Sequence, residues 1–199
     1  CKENNKAATK SKNDKLQIVA TFYPVYDFTK NIVGDEAEVS LLMPAGTEPH
    51  DYEPSARDLA KITDADAFVY HNENMEMWVP KAIKSWEKGS PNIVEGTKGM
   101  LLLPGGEEEH DHSHEAWHHH ELDPHTWVSP YRAIKEVTSI KEQLSALYPE
   151  KKAVFEANAK KYLAKLEALD KTYTTTLQAA KQKNFVTQHT AFSYLALDY

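Results

Sequence analysis

Short apolar runs rich in β-branched residues alternate with helical patterns along the first half of the chain. The first run, Leu16–Phe22, reads Leu-Gln-Ile-Val-Ala-Thr-Phe, which is typical of a strand buried on both faces of a parallel sheet. Three more runs follow at Val39–Met43, Ala67–Tyr70 and Asn92–Val94. This alternation predicts an α/β fold, a Rossmann-like parallel sheet with helices on both faces.

The helices between these strands carry start and stop signals. Pro24 suits the first turn of one helix, and Gly34 suits its end. Ser55 is a candidate N-cap for the next helix, where Asp58 favours the positive end of the helix dipole. A third, shorter helix is expected over Met75–Ser85. Ligands of such sheets bind outside the carboxyl ends of the strands.

The second half of the chain is dominated by helical periodicity. Pro130 opens a helix that ends before Pro149. Apolar residues from Phe155 to Ala180 then recur at helical intervals over about eight turns. A helix of this length is unusual within one compact domain, so it is expected to bridge two units. A final helix is expected over Ala191–Asp198.

Composition excludes several classes of function. The chain is 41% hydrophobic and 27% charged, which is typical of a soluble globular protein. Its net charge of −7 argues against nucleic-acid binding, which requires a basic surface. The single cysteine cannot form a disulfide within the chain or build a cysteine-based zinc site. Any metal must therefore be held by histidines and carboxylates.

The single cysteine is the first residue, Cys1, and small polar residues follow it. This is typical of a mature bacterial lipoprotein whose N-terminal cysteine carries the lipid, although an arbitrary chain boundary would give the same start. No apolar run approaches the roughly 20 residues of a spanning helix, so membrane attachment is expected through the lipid anchor only. Residues 1–14 are expected to form a flexible tether.

Three histidines lie in short segments that are typical of a strand end or the start of a loop: His50, His125 and His189. Neutral imidazole is the commonest protein ligand for zinc, and three ligands from rigid segments can fix a tetrahedral ion. His50 and His125 each follow a proline, which stiffens the loop and lowers the entropy lost on metal capture. Proton competition predicts that affinity falls as the pH drops through the histidine range.

Three carboxylates close to these histidines are candidates for supporting roles. Glu48, Asp51 or Asp123 can accept the second ring N–H of a ligating imidazole, and Glu48 can also bind the ion itself. The spacing leaves these alternatives open. His71, which ends the third strand, has no ligand-like segment near it and is expected to be a surface or capping residue.

A histidine-rich run lies between Glu107 and Glu121, within a loop expected over residues 105–122. It is either a solvated acidic loop or a mobile loop that collects zinc weakly, and its imidazole content favours the second interpretation. Without fixed geometry, tight selective binding is not expected there. Its histidines are His110, His112, His114, His118, His119 and His120.

Two other classes of function remain open. A zinc hydrolase would also use about three protein ligands, but the chain has no His-Glu-x-x-His, Gly-x-Ser-x-Gly or glycine-rich phosphate motif. An adhesin or other interaction protein would carry zinc as a structural ion. Such a protein should unfold when the metal is removed, whereas a receptor lobe should stay folded.

Three ordered segments, at 46–54, 123–130 and 188–192, resemble those of the metal-specific substrate-binding lipoproteins of bacterial ABC transporters, in particular the streptococcal zinc receptors with a histidine-rich loop. The resemblance covers essentially the whole chain. It implies that His50, His125 and His189 bind Zn²⁺ and that the protein delivers zinc to a membrane permease without catalysis. Manganese-specific relatives tend to carry a carboxylate in place of His189, and nitrogen there favours zinc.

The resemblance also suggests a domain organisation. Residues 15–148 are expected to form an N-terminal α/β metal-binding lobe and 149–183 a long linker helix. Residues 184–199, with a strand at Asn184–Thr187, are expected to begin an incomplete C-terminal lobe. Relatives continue into a second lobe that supplies a fourth ligand, usually a carboxylate. In this chain, water, Glu48 or a neighbouring molecule is expected to fill that position, with weaker zinc binding as a result.

Overall fold

The computed structural model describes residues 15–86, 90–104, 122–180 and 192–199. The described residues form four strands and six α-helices, joined by turns and short 3₁₀ segments. The strands are β1 (Leu16–Ala20), β2 (Ala37–Leu41), β3 (Ala67–Tyr70) and β4 (Asn92–Glu95). The helices are α1 (Tyr23–Val33), α2 (Ala56–Asp64), α3 (Val79–Ser85), α4 (Pro130–Leu147), α5 (Lys152–Gln178) and α6 (Ser193–Asp198).

The four strands form one sheet in the order β2-β1-β3-β4, and every neighbouring pair is parallel. Ile18 of β1 lies opposite Val39 of β2 and Ala67 of β3. Right-handed crossovers through helices are the usual way to join such parallel neighbours. The parallel sheet predicted from the apolar runs is confirmed.

Alternate side chains of the strands point to two separate apolar cores. Ile18 and Val69 pack with helices α1, α4 and α5 on one face of the sheet. Val19 and Phe68 pack with α2 and α3 on the other face. Because successive residues of a strand point to opposite faces, strands covered on both sides need a continuous apolar run. The predicted placement of helices on both faces is confirmed.

The N-terminal part of the long helix α5 packs against α1 and α4. Phe155 and Ala159 are fully buried against α1 and α4. Asn158 Nδ2 donates to the carbonyl of Ile32 at 3.1 Å, where α1 ends. Farther along, Leu169 is 44% exposed. The predicted long helix is present, with 27 residues, and its role as a bridge between two units stays a prediction.

The helix expected over Met75–Ser85 begins later than predicted, at Val79. The carboxylate of Glu76 accepts backbone N–H groups of His71 and Asn72, each at 2.9 Å. Its side chain therefore folds back to the end of β3, and the intervening residues form turns instead of helix. A buried carboxylate that satisfies backbone donors outweighs the apolar spacing that favoured a longer helix.

Several predicted segments lie outside the described residues. They are the tether 1–14, most of the histidine-rich loop and the strand expected at Asn184–Thr187. The final predicted helix is observed as α6. Among the described helices, none combines the length and the apolar character that crossing a bilayer requires.

Replacing Phe155 with alanine tests how α5 is fastened to the lobe. Its fully buried ring packs between α1 and α4, so the substitution should lower the free energy of unfolding by about 3–5 kcal/mol. Leu169→Ala on the same helix removes a 44% exposed side chain and should cost less than about 0.5 kcal/mol. Urea unfolding of both variants measures the difference, and equal losses would contradict this packing.

Candidate metal site

Two of the three candidate histidines meet in the structure. His50 is an exposed residue in the loop that follows β2, and His125 is 7% exposed and immediately precedes a 3₁₀ turn at Thr126–Val128. Their Nε2 atoms lie 3.3 Å apart, and their ring centroids are 5.4 Å apart. Residues 75 positions apart in the sequence thus present the same ring atom to one point.

Asp123 determines which nitrogen of His125 faces His50. Its Oδ1 accepts a hydrogen bond from Nδ1 of His125 at 2.7 Å and another from the His125 backbone N–H at 3.0 Å. A carboxylate only accepts, so it selects the tautomer with the proton on Nδ1. The Nε2 lone pair is then directed towards His50, which is the arrangement found in carboxylate–histidine–metal sites.

The charge of Asp123 is maintained by the same contacts. Burial raises the pKa of this carboxyl, but the hydrogen bonds from the side chain and backbone of His125 outweigh burial and hold the pKa below its usual value. Asp123 is therefore ionised at neutral pH and can orient the imidazole.

The separation of the two Nε2 atoms suits a shared ion. Two nitrogens bound to zinc at about 2.0–2.1 Å with a tetrahedral angle lie roughly 3.3–3.4 Å apart. The observed separation of the two Nε2 atoms is 3.3 Å. The pair can therefore provide two adjacent corners of a tetrahedral site.

The other candidate ligands are placed differently. The Oε1 of Glu48 lies 3.5 Å from the backbone N–H of His50 and accepts from it, and Asp51 is exposed. Within the described ranges, no group of three metal-ligating side chains converges. His189 and the six histidines of the 105–122 loop lie outside those ranges, so their roles stay predictions. In the described segment from residue 122, His125 follows an isolated bridge between Leu122 and Pro104.

The prediction for His71 was wrong. This residue is fully buried, and both ring nitrogens are engaged: Nδ1 lies 2.5 Å from Oε1 of Glu136, and Nε2 binds the carbonyl of Pro124. It is therefore neither a surface residue nor available as a ligand. Glu136 went unnoticed in the sequence, although it lies between Ala133 and Val137 on the apolar side of α4, and a carboxylate on a core face usually has a buried partner.

Helix α6 binds the segment that carries His125. The hydroxyl of the fully buried Tyr194 donates to the carbonyl of Asp123 and accepts from the backbone N–H of Leu103, both at 2.7 Å. Asp198 accepts from the Ser129 hydroxyl at 2.6 Å and pairs with Arg132 at 3.0 Å. Both ends of the 123–129 segment are thus attached to the last described helix.

Comparison with known proteins identifies the family of this chain. Residues 18–199 match the model of the ZnuA family, described as the zinc-uptake complex component A, periplasmic. A curated relative, the zinc-binding lipoprotein AdcA of Streptococcus pneumoniae, is 61% identical over 96% of this chain and 38% of its own length. The high-affinity zinc uptake system protein ZnuA of Bacillus subtilis is 51% identical over 98% of this chain and 62% of its own length.

The fold agrees with these relatives. The crystal structure of Zn(II)-bound AdcA from S. pneumoniae superposes with a TM-score of 0.85 at 58% identity, covering 94% of this chain and 38% of that chain. This chain therefore spans less than two thirds of the length of these relatives. The family match extends over most of the sequence, and the same lobe architecture is present. The chain belongs to the ZnuA family of zinc-uptake proteins.

Proposed function

We propose that this chain captures Zn²⁺ outside the cytoplasm and that the receptor to which it contributes delivers the ion to an ABC-type importer. The observation that carries the proposal is the 3.3 Å separation of the His50 and His125 Nε2 atoms, which suits two corners of a tetrahedral zinc site. The family description and the names of the relatives, which refer to zinc binding and zinc uptake, support it.

His189 is the proposed third ligand. It precedes the buried Tyr194 by five residues, and five residues span at most about 18 Å. The Tyr194 hydroxyl binds Asp123, which in turn binds His125, and this attachment supports the proposal of His189 as a ligand. Three neutral imidazoles favour zinc over harder divalent ions. Glu48, water or another chain then completes the coordination.

The proposed role is binding and not catalysis. A zinc hydrolase needs an open metal position with a general base beside it. Asp123 is engaged by the ring and backbone of His125. This carboxylate holds the segment that carries His125. Reversible capture, without a chemical step, is what this arrangement supports.

The proposed location is extracytoplasmic. The matched family is described as periplasmic, and the S. pneumoniae relative is named a lipoprotein. Lipid attachment at Cys1 would hold the protein at the membrane beside its permease. The histidine-rich loop would then serve as an auxiliary zinc collector, since histidine-rich tracts bind metal without fixed geometry.

A protein in which zinc is structural is the alternative, and metal removal separates the two. The two apolar cores enclose the sheet without either His50 or His125. The metal-free chain should therefore keep its far-UV circular dichroism and a cooperative thermal transition, with zinc raising the midpoint through mass action. Unfolding on treatment with a chelator would favour a structural zinc ion.

Calorimetry on two variants tests the assignment of the site. Replacing the six tract histidines with asparagine should remove weak additional zinc binding and keep the tightest site. His50→Ala in that background should abolish the tight site, because one of the two converging nitrogens is lost. Loss of tight binding in the tract variant alone, or tight binding that survives His50→Ala, would contradict the proposal.

Asp123→Asn tests the orienting carboxylate. An amide oxygen accepts a weaker hydrogen bond than a carboxylate and no longer favours one tautomer as strongly, so the zinc dissociation constant should rise about tenfold or more. Asp64→Asn is the matched control, because Asp64 is an exposed carboxylate at the end of α2 and belongs to neither histidine loop. Chelator competition measures both variants. Equal dissociation constants for Asp123→Asn and wild type would contradict an orienting role.

A further inference from the structure

We propose that the buried pair of His71 and Glu136 positions the loop that carries His125, and thereby sets the affinity of the zinc site without touching the ion. This inference rests on the proposed function, since it concerns the same site. Neither residue is a ligand, and neither belongs to the segments by which the site was found in the sequence.

The pair is an ion pair in the interior. Both residues are fully buried, and His71 Nδ1 lies 2.5 Å from Glu136 Oε1. The other ring nitrogen binds the carbonyl of Pro124, and a carbonyl only accepts, so Nε2 carries a proton. Burial lowers the pKa of His71, but the charge and hydrogen bond of Glu136 oppose it and raise the pKa to about 9. Both ring nitrogens therefore donate.

Each member of the pair holds one neighbour of His125. His71 binds the carbonyl of Pro124, the residue before it. Glu136 Oε2 accepts the hydroxyl of Thr126, the residue after it, at 3.1 Å, and Thr126 is fully buried. The backbone of His125 is thus attached on both sides to one buried pair.

The pair itself is anchored to the rigid part of the lobe. His71 directly follows β3, and Glu136 lies in the second turn of α4. The His71 backbone N–H is held by the buried Glu76 at 2.9 Å. The His71 ring also packs edge-to-face against Trp127, with centroids 4.9 Å apart. Sheet and helix therefore fix the position from which the His125 loop is held.

The hydrogen bonds of the His71–Glu136 pair affect the position of the His125 loop more than the stability of the fold. Apolar residues of equal volume often stabilise a core as well as a buried ion pair does. What they lack is directed hydrogen bonds, and two bonds of this pair lead to the residues that flank His125. A ligand that is already held in place loses less conformational entropy when the ion binds. Loosening the loop should therefore weaken capture.

Substitution of Thr126 tests this with little disturbance of the core. Thr126→Val keeps the shape and removes the hydroxyl that binds Glu136, whereas Thr126→Ser keeps the hydroxyl. Glu136→Gln removes the charge of the pair. Val137→Ala, the next residue on α4 and fully buried, is the control for lost stability. All are made in the full chain with the six tract histidines replaced by asparagine, and zinc affinity, Co²⁺ absorption and thermal midpoint are measured.

Thr126→Val should raise the zinc dissociation constant about three- to tenfold, which corresponds to one lost hydrogen bond. Glu136→Gln should raise it about tenfold or more. Thr126→Ser should bind as wild type does, and Val137→Ala should lower the thermal midpoint while leaving the dissociation constant unchanged. The visible Co²⁺ bands should shift or broaden in Thr126→Val and Glu136→Gln only, because those variants alter ligand geometry.

Two results would overturn the inference. One is a wild-type dissociation constant and Co²⁺ spectrum for Thr126→Val in a chain whose tight binding is lost with His50→Ala. The other is equal weakening by Val137→Ala at a comparable loss of thermal midpoint, which would make the effect one of stability alone. If His50→Ala leaves tight binding unchanged, the proposed zinc site itself is wrong and the inference fails with it.

Discussion

The hydrogen bond between Asp123 Oδ1 and His125 Nδ1 is the interaction on which the site depends. Without it, the imidazole could present either nitrogen, and the 3.3 Å approach of the two Nε2 atoms would not define a metal position. The carboxylate of Asp123 stays ionised because its hydrogen bonds with the ring and backbone of His125 offset the cost of its burial. A residue that would not contact the ion therefore determines how His125 can bind it.

The fold supplies the rigidity that this interaction requires. The parallel sheet is covered by helices on both faces. The buried pair of His71 and Glu136 lies in the interior of the lobe, next to the His125 loop. On its other side, the buried Tyr194 of α6 binds the same loop at Asp123. The His125 loop is thus held from two sides, and His50 lies on a separate, exposed loop.

The sequence predicts the sheet well because buried parallel strands require continuous apolar runs, a signal that is local. It also predicts His50 and His125 as partners, since stiff proline-histidine segments are visible in a short window. It does not predict the roles of His71 and Glu136, which are 65 residues apart and come into contact only in the folded lobe. Glu76 shows the same limit. Its spacing fits a helix, but its carboxylate accepts the backbone N–H of His71, directly after β3, and the helix begins only at Val79.

Anomalous diffraction at the zinc absorption edge, from crystals of the zinc-loaded chain, tests the central claim most directly. We expect one strong peak bonded to the Nε2 atoms of His50 and His125, at about 2.0–2.1 Å from each, with His71 still bound to Glu136 and Pro124 in the interior. A zinc peak found only at other histidines, with the His50 and His125 rings turned away from each other, would contradict the account.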